Sequence, residues 1–479
     1  MSKISSMSRR TFLASGSAAA AGALVGRQSL ALPPGLQADV KPTVIRAAMR
    51  SLEIDGRAAT MMGLHQPNGV SGLSLRADGP FDVQLENQLA VPTAIHWHGL
   101  HPPNSQDGVP YLTQPVIAAG TSKGYNFKTR PGGTHWMHSH EGLQESFLLS
   151  APLIVHDPGE EKADEKQIVL FLGDFSFTPP GEILERLRKP HMSMPSMPMA
   201  MAGAKPDAND VDYDAYLAND RTLADPEVIA VEKGARVRLR IINGSSGTNF
   251  FINLGQLRGD VIATDGMPVQ PFRGSEFPLA IAQRLDIRLQ LPREGAFPIL
   301  AYREGGNEQT GVILATSGAS VKKLPLRRGS PSGLLTMEME SQLIAARQPA
   351  VKAVDRSFDL RLGGDMAKYV WPINGTVVDL ANPRATKPAV VVKEGQRAAI
   401  RFINETGMSH PMHLHGHSFQ VVEINGRPLR GALRDTVLVP PKSTVTVAFD
   451  ADNPGTWYVH CHVLWHLAVG MAALVQYEQ

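Results

Sequence analysis

The stretch that decides the fold reads His460-Cys461-His462-Val463-Leu464-Trp465-His466, and Met471 follows shortly after it. It contains the one cysteine of the chain. The residues just before it, 456–459, are β-branched or aromatic, which predicts a strand. Because neighbouring side chains on a strand point to opposite faces, His460 and His462 are expected on one face and Cys461 on the other. One tripeptide can therefore join two metal sites.

Cys461, His466 and Met471 supply most of a blue-copper electron-transfer site. Such a site needs two histidines, a cysteine thiolate and a weak axial ligand, commonly methionine. One further histidine must come from elsewhere in the chain, while His460 and His462 would bind a second centre behind the strand. The alternative is a buried structural cysteine with incidental histidines, which the density of ligand-type residues in this stretch disfavours.

Two further pairs of histidines lie in the first third of the chain. They are His96 with His98, and His138 with His140. Each pair falls in a run that reads as a strand, so its two rings are expected on one face. Imidazole is a good copper ligand, and two such pairs predict a metal centre. Between them, Asp107 lies in a predicted turn, either as a turn-former or as a proton-relay or hydrogen-bond partner of a metal-bound histidine.

A third cluster, His410-Pro411-Met412-His413-Leu414-His415, lies nearer the end of the chain. His413 and His415 repeat the two-residue spacing of the earlier pairs. His410 is a candidate for the missing second imidazole of the blue-copper site.

An internal repeat relates the beginning, middle and end of the chain. Asn87 precedes the first histidine pair by nine residues, and Asn404 precedes the pair of the third cluster by nine. Asn243 ends a similar predicted strand, but the matching positions there are Ile252 and Leu254. The repeat predicts three related β-domains. The middle domain lacks ligands, so a shared metal centre is expected between the first and third.

Length and composition agree with this organisation. The 479 residues suggest about three domains, with expected spans of 42–158, 160–325 and 355–479. The 44 glycines, 36 prolines and many short β-branched runs indicate a largely β fold. One cysteine allows no internal disulfide. The near balance of 47 basic and 45 acidic residues gives no sign of a surface for nucleic acid or for a membrane.

The N-terminal residues 1–31 read as an export signal. Ser8-Arg9-Arg10-Thr11-Phe12-Leu13 is a twin-arginine pattern, followed by an apolar stretch and by Ser29-Leu30-Ala31 as a cleavage site. The apolar stretch is too short to span a membrane, and no other segment is apolar for long enough. We expect export by the twin-arginine machinery to the periplasm. The alternative is a cytosolic protein with a chance pair of arginines.

The segment 191–201 in the middle domain is rich in methionine. It holds five of the 18 methionines together with two prolines, which excludes a regular helix or a central strand. Because the thioether is a soft ligand that selects Cu(I), we interpret the segment as one that contacts Cu(I). The alternative is a flexible surface linker.

In order along the chain, the four histidine clusters resemble those of the multicopper oxidase family. With the twin-arginine leader, the chain is similar to the bacterial three-domain forms, which include copper-resistance proteins, cuprous oxidases and laccase-like enzymes. The resemblance runs from about residue 40 to the end of the chain. It implies an all-β fold of three cupredoxin-like, Greek-key β-sandwich domains.

The resemblance also implies four copper ions with defined ligands. It implies a type 1 copper at His410, Cys461 and His466, with Met471 axial. It implies a type 2 copper at His96 and His413. It implies a type 3 pair at His98, His138, His140, His415, His460 and His462. Cys461, His466 and Asp107 are the residues expected to take part in catalysis.

The implied reaction is the oxidation of a one-electron donor coupled to the reduction of dioxygen to water. Electrons are expected to enter at an exposed edge of His466 and to pass along Cys461 to His460 and His462. The methionine axial ligand favours an easily oxidised donor. Cu(I), in copper tolerance, is the expected donor, with a laccase-like phenol oxidase or a Mn(II) oxidase as the alternative. A structural protein that has lost copper, or a copper-storage protein, would not require this complete ligand set.

Overall fold

The computed structural model describes residues 42–189, 208–350 and 352–478. The predicted export signal and the methionine-rich segment 191–201 lie outside these ranges. Strands are the main secondary structure of the described chain and form six sheets, which confirms the expected all-β class. Within these ranges, no helix has both the length and the apolar character needed to cross a membrane.

Two sheets, which we call the first sandwich, use the strands between residues 43 and 156. Their strands are β1 (Thr43–Ile54), β2 (Arg57–His65), β3 (Leu73–Arg76), β4 (Pro80–Asn87), β5 (Ile95–His96), β6 (Ser122–Lys128), β7 (Gly133–Ser139) and β8 (Ser150–His156). One sheet has the order β2-β1-β4-β6 and the other β3-β8-β7-β5. Burial alternates along β4, so Phe81, Val83 and Leu85 enter the core.

The second sandwich follows, with its strands between residues 166 and 315. Its elements are β9 (Lys166–Phe175), α1 (Pro180–Arg188), β10 (Ala215–Ala218), β11 (Val228–Ala230), β12 (Arg236–Asn243), β13 (Phe250–Asn253), β14 (Gly259–Thr264), β15 (Met267–Gly274), β16 (Glu276–Leu279), β17 (Arg284–Gln290), β18 (Ala296–Arg303) and β19 (Gln309–Ala315). The sheet orders are β10-β9-β12-β17-β14-β15 and β11-β19-β18-β13-β16.

The third sandwich contains the strands between residues 356 and 477. Its elements are β20 (Arg356–Leu362), β21 (Val390–Val392), β22 (Arg397–Asn404), β23 (His410–Leu414), β24 (Phe419–Ile424), β25 (Arg427–Pro428), β26 (Leu433–Arg434), β27 (Thr436–Val439), β28 (Thr444–Asp450), β29 (Thr456–Cys461), α2 (Leu464–Leu467) and β30 (Ala472–Tyr477). One sheet has the order β20-β22-β28-β24-β25, with β26 also paired to β24, and the other has the order β21-β30-β29-β23-β27.

The repeated asparagines have one structural role in all three sandwiches. Asn87, Asn243 and Asn404 are the last residues of β4, β12 and β22, and all three are buried. Each amide group donates to at least two carbonyl oxygens further along the chain: Asn87 to Val91 and Ile117, Asn243 to Thr248 and Leu279, Asn404 to Met408, Val439 and Pro440. Each asparagine thereby fixes the loop that leads out of its strand, and in the first and third sandwiches that loop leads to a histidine pair.

Apolar packing between the sheets stabilises this arrangement. The first sandwich has its own core, whereas the cores of the second and third are continuous. Ile252 and Leu254, which replace histidines in the second sandwich, are fully buried in that continuous core. Each such side chain contributes about 1.5–3 kcal/mol by leaving water. The second sandwich therefore uses for packing the two positions that carry histidines in the others.

Candidate metal centre

Two sheets from different sandwiches hold the predicted ligands at their strand ends. His96 of β5 lies opposite His138 of β7 in the first sandwich. His413 of β23 lies opposite His460 of β29 in the third. Residues opposite each other in an antiparallel pair have Cβ atoms about 4.5–5.5 Å apart, so each pairing places two imidazoles side by side.

Eight of the predicted ligands come together between the first and third sandwiches. We call the following residues the eight-histidine cluster: His96, His98, His138, His140, His413, His415, His460 and His462. Three sets within it have ring nitrogens within 4.8 Å of one another: His96, His98 and His413; His98, His138 and His462; His140, His415 and His460. Every set combines residues of both sandwiches, so neither sandwich alone could form the cluster.

Outward hydrogen bonds orient the rings of the cluster. The Nδ1–H groups of His96, His413 and His460 donate to the carbonyl oxygens of Asp107, Asp435 and Cys461, each at 2.9 Å. A neutral imidazole that donates through one nitrogen keeps a lone pair on the other. The Nε2 atoms of His96, His138, His140, His413 and His462, and Nδ1 of His98, have no hydrogen-bond partner in the described part of the chain. Such atoms are ready to bind a metal ion.

The contact between His415 and His460 shows that the cluster suits a cation. Their Nε2 atoms lie 3.0 Å apart. His415 Nδ1 donates to Asp107 Oδ2 at 2.9 Å and His460 Nδ1 donates to a carbonyl oxygen, so both Nε2 atoms carry lone pairs. Burial, together with the neighbouring histidines, lowers the pKa of His415 well below its usual value, and burial lowers the pKa of His460 to about 4. At neutral pH the two lone pairs repel each other unless a metal ion binds both, and imidazole is a preferred ligand of copper.

A second set of ligands surrounds Cys461. Its Sγ atom lies 3.6 Å from His410 Nδ1 and 3.5 Å from His466 Nδ1, and all three residues are buried. Burial raises the pKa of the Cys461 thiol well above its usual range. A thiolate at this position therefore needs a bound cation, as in a copper site. Met471 is buried, and its carbonyl oxygen accepts the N–H of Cys461 at 3.1 Å; its role as axial ligand stays a prediction.

The edge of His466 is covered, so the expectation of an exposed edge is wrong. The side chain of His466 is fully buried. The ring of Trp371 lies over it, with centroids 4.0 Å apart. Its Nε2 lies 2.9 Å from Oδ2 of Asp210, a carboxylate that is itself buried and also accepts the hydroxyl of Tyr369 at 2.8 Å. A buried carboxylate and aromatic rings therefore cover the histidine.

Asp107 contacts cluster histidines from both sandwiches. It follows a 3-10 turn, Asn104–Gln106, and is fully buried. Its carbonyl oxygen accepts from His96 and its carboxylate accepts from His415. These contacts favour the interpretation of Asp107 as a hydrogen-bond partner over that of a simple turn-former, whereas its proton-relay role stays a prediction.

Sequence reasoning missed three carboxylates that border the two sites. Glu145 Oε2 lies 2.7 Å from His138 Nδ1, and burial raises the pKa of Glu145 well above its usual value. Asp435 Oδ1 accepts from His98 Nε2 at 3.1 Å. The third is Asp210, described above. Glu145 lies only five residues after a predicted ligand and could have been noticed, but no spacing pattern marks the other two.

Three protein-family models, each described as multicopper oxidase, match this chain. They cover residues 49–160, 167–319 and 356–479. Together they span most of the described chain, including both candidate sites.

Individual proteins with known names, and one solved structure, are also similar to this chain. Multicopper oxidase MmcO of Mycobacterium tuberculosis is 34% identical over 412 residues, which are 82% of this chain and 79% of the relative. Copper resistance protein A of Escherichia coli is 25% identical over an alignment of 617 positions, gaps included. The alignment covers 98% of this chain and 99% of the relative. The crystal structure of Fet3p, a multicopper oxidase that functions in iron import, shares the fold, with a TM-score of 0.76 at 18% identity over 91% of this chain and 90% of Fet3p. The expected cupredoxin-like β-sandwich fold is thereby confirmed.

Proposed function

This chain belongs to the multicopper oxidase family, and we propose that its two sites hold four copper ions. We also propose that Cu(I) is its favoured electron donor. The protein is an oxidoreductase that couples copper-dependent oxidation of a substrate to the reduction of dioxygen to water. His410, Cys461 and His466, with Met471 as a further ligand, would hold the type 1 copper. The type 2 copper is assigned to His96 and His413. The type 3 pair is assigned to His98, His138, His140, His415, His460 and His462.

The position of Cys461 is the observation that supports this assignment most strongly. Its thiol faces His410 and His466, while the residues on either side of it, His460 and His462, belong to the eight-histidine cluster. Bound copper supplies one-electron redox chemistry at the first site and activation of dioxygen at the second. Cys461 connects the two: its side chain faces one site, and its carbonyl oxygen accepts the Nδ1–H of His460 in the other at 2.9 Å.

Residues around the cluster hold the ligands in place. Asp107 accepts a hydrogen bond from His415 and another from His96, so it fixes rings contributed by two sandwiches. Glu145 lies beside His138 in the same way. Carboxylate partners of this kind fix the tautomer of a ligand histidine and make it a stronger base.

The carboxylate of Asp210 supports a cationic donor. It contacts the nitrogen of His466 that faces away from Cys461, and its Oδ1 has no hydrogen-bond partner among the described residues. An unpartnered buried carboxylate oxygen attracts a metal cation more strongly than it attracts a neutral phenol. Relatives named copper resistance protein A span almost the whole chain, and the methionine-rich composition of segment 191–201 suits Cu(I). We therefore rank Cu(I) oxidation, as part of copper tolerance, above the alternatives.

We expect Asp210→Asn to reduce kcat/KM for Cu(I) by about tenfold or more, because a charge-assisted contact of about 1.5–3 kcal/mol is lost. The rate with an electron-rich phenol should fall by a smaller factor, because it loses only the contact of Asp210 with His466 and not the attraction for a cation. Steady-state kinetics with Cu(I), Mn(II) and a substituted phenol, with copper content measured in parallel, tests this expectation.

Asp212→Asn is the matched control for this experiment. Asp212 is exposed and pairs with Arg303 at 2.8 Å, away from His466, so its loss should change neither rate. Equal losses on all donors in Asp210→Asn would argue against a cationic donor. A wild-type preference for the phenol would favour a laccase-like enzyme, as relatives named laccase suggest, and a preference for Mn(II) would favour a manganese oxidase.

We further propose that the twin-arginine machinery exports the protein to the periplasm. Support comes from Arg9 and Arg10 within residues 1–31 and from the apolar stretch behind them. Changing both arginines to lysine should shift the protein from the periplasmic to the cytoplasmic fraction, as measured by cell fractionation. Lys3→Gln serves as the control and should be exported normally. Periplasmic accumulation of the double variant would contradict this route.

A further inference from the structure

The second sandwich provides no predicted ligand, yet it reaches the eight-histidine cluster through buried charges. We call the following residues the Asp435 network: Asp265, Arg284, Glu340, Arg434 and Asp435. All five are buried. Asp265 and Arg284 belong to the second sandwich, whereas Arg434 and Asp435 belong to the third. Burying charged groups costs free energy unless they are paired. A network of five buried charged residues at the boundary between two sandwiches therefore indicates a role beyond packing.

Asp435 links this network to two cluster histidines. Its Oδ1 accepts from His98 Nε2 at 3.1 Å and its carbonyl oxygen accepts from His413 Nδ1 at 2.9 Å. Because His98 donates through Nε2, its Nδ1 keeps the lone pair, and that atom has no partner in the described ranges. The hydroxyl of Thr436 also lies 3.2 Å from His98 Nε2 and donates to the same Asp435 oxygen at 2.9 Å. The Asp435 carboxylate, with this hydroxyl, thus orients His98 so that Nδ1 faces the cluster.

Arg284 holds that carboxylate in place. Its Nη1 donates to Asp435 Oδ1 at 2.8 Å, and its Nη2 contacts the other oxygen, which is the paired geometry that only arginine offers. Its Nε donates to the carbonyl oxygen of Thr134 in β7, the strand that carries His138, at 3.1 Å. One guanidinium of the second sandwich therefore contacts both sandwiches that supply the ligands.

The backbone next to His98 is shaped to allow this contact. Gly99 has a φ of +94°, which favours glycine. A Cβ atom at this position would lie 2.6 Å from Arg284 Nη2 and 3.1 Å from Asp435 Oδ2. The pair is therefore packed directly against the chain that carries His98.

We propose that Arg284 is a positioning residue for the copper cluster. It clamps the Asp435 carboxylate against His98, so that Nδ1 of His98 faces the metal position. The inference rests on the proposed function, because it assumes that the eight-histidine cluster binds copper. It gives the sandwich without ligands a direct role in assembling the cluster.

The test compares copper binding in Arg284→Met with that in Arg240→Met. Arg240 is a matched control because it is fully buried in the second sandwich and pairs with Asp286 and Glu160, but contacts no cluster histidine. When apoprotein is reloaded at a free copper concentration just sufficient to fill the wild-type sites, Arg284→Met should bind copper at the cluster about 10–100-fold more weakly. Its copper content should fall from four ions per chain towards one, while the blue absorption of the Cys461 site remains. Arg240→Met should reach four ions.

Arg284→Lys keeps the test decisive if Arg284→Met does not fold. Lysine keeps the positive charge but cannot contact both oxygens of Asp435 and the Thr134 carbonyl in the same geometry, so its copper content should also fall below four. Four ions in Arg284→Lys, or equal copper content in Arg284→Met and Arg240→Met, would overturn the inference. Wild-type protein with fewer than four ions would instead overturn the proposed function, so the two failures are distinguishable.

Discussion

Replacing Cys461 with serine should abolish the blue absorption and lower oxidase activity by more than a hundredfold, while three copper ions remain bound. Cysteine thiolate is the ligand that gives such a site its colour, and a hydroxyl does not replace it. The loss should exceed the about 10–100-fold effect of changing an outer partner of a metal ligand. Absorption spectra, copper content and steady-state rates measure the three quantities on one preparation.

The copper content distinguishes this result from unfolding. Serine would leave a buried hydroxyl, at a cost of about 1–3 kcal/mol if it stays unpaired. Cys461→Ala removes that hydroxyl and should give the same spectrum and the same three ions. A serine variant that stayed blue would contradict the assignment of Cys461, and loss of all copper would point to a folding defect.

Changing His98 to alanine should abolish dioxygen reduction, although the Cys461 site can still be reduced by donor. His98 belongs to two of the three sets in the eight-histidine cluster, so its loss affects more than one metal position. The site around Cys461 contains no residue of the first sandwich and should remain intact. The measurement is bleaching of the blue absorption by donor without oxygen, followed by its failure to return when oxygen is admitted.

His101→Ala is the control for His98→Ala. His101 is a nearby histidine whose Nε2 pairs with Ser418 at 3.1 Å, and it belongs to none of the metal-ligand sets in the described ranges. This variant should be reoxidised at nearly the wild-type rate. If His98→Ala turned over fully, the idea of one cluster shared by two sandwiches would be wrong.

Spacing along single strands made much of this architecture predictable. Alternation of side chains places His460 and Cys461 on opposite faces, and the structure places them in different ligand sets. The recurring asparagines predicted three related β-domains, and in the structure the three amide groups make equivalent hydrogen bonds. These features depend on local geometry, which a sequence pattern reports directly.

The partners of the ligands could not be predicted, because they come from distant parts of the chain. Asp435 contacts His98 across 337 residues of sequence, and Arg284 contacts Asp435 across 151. Nothing in the local pattern around Asp435 or Arg284 distinguishes them from surface charges. Their roles depend on how whole sandwiches pack against each other.

The burial of His466 could not be predicted for the same reason. Trp371 and Asp210 lie about 100 and 250 residues away from His466. A spacing argument identifies a ligand, but it does not show which distant side chains cover it. The carboxylate and the aromatic ring that cover His466 could therefore be recognised only from the fold.

We expect one copper cluster between the first and third sandwiches, next to the site of Cys461. Anomalous diffraction at the copper absorption edge, on crystals of the copper-loaded protein, tests it most directly. We expect four copper peaks: one beside Cys461, His410 and His466, and three surrounded by the eight-histidine cluster, with ligands from both sandwiches. Copper peaks in the eight-histidine cluster with ligands from only one sandwich, or no peak beside Cys461, would contradict this arrangement.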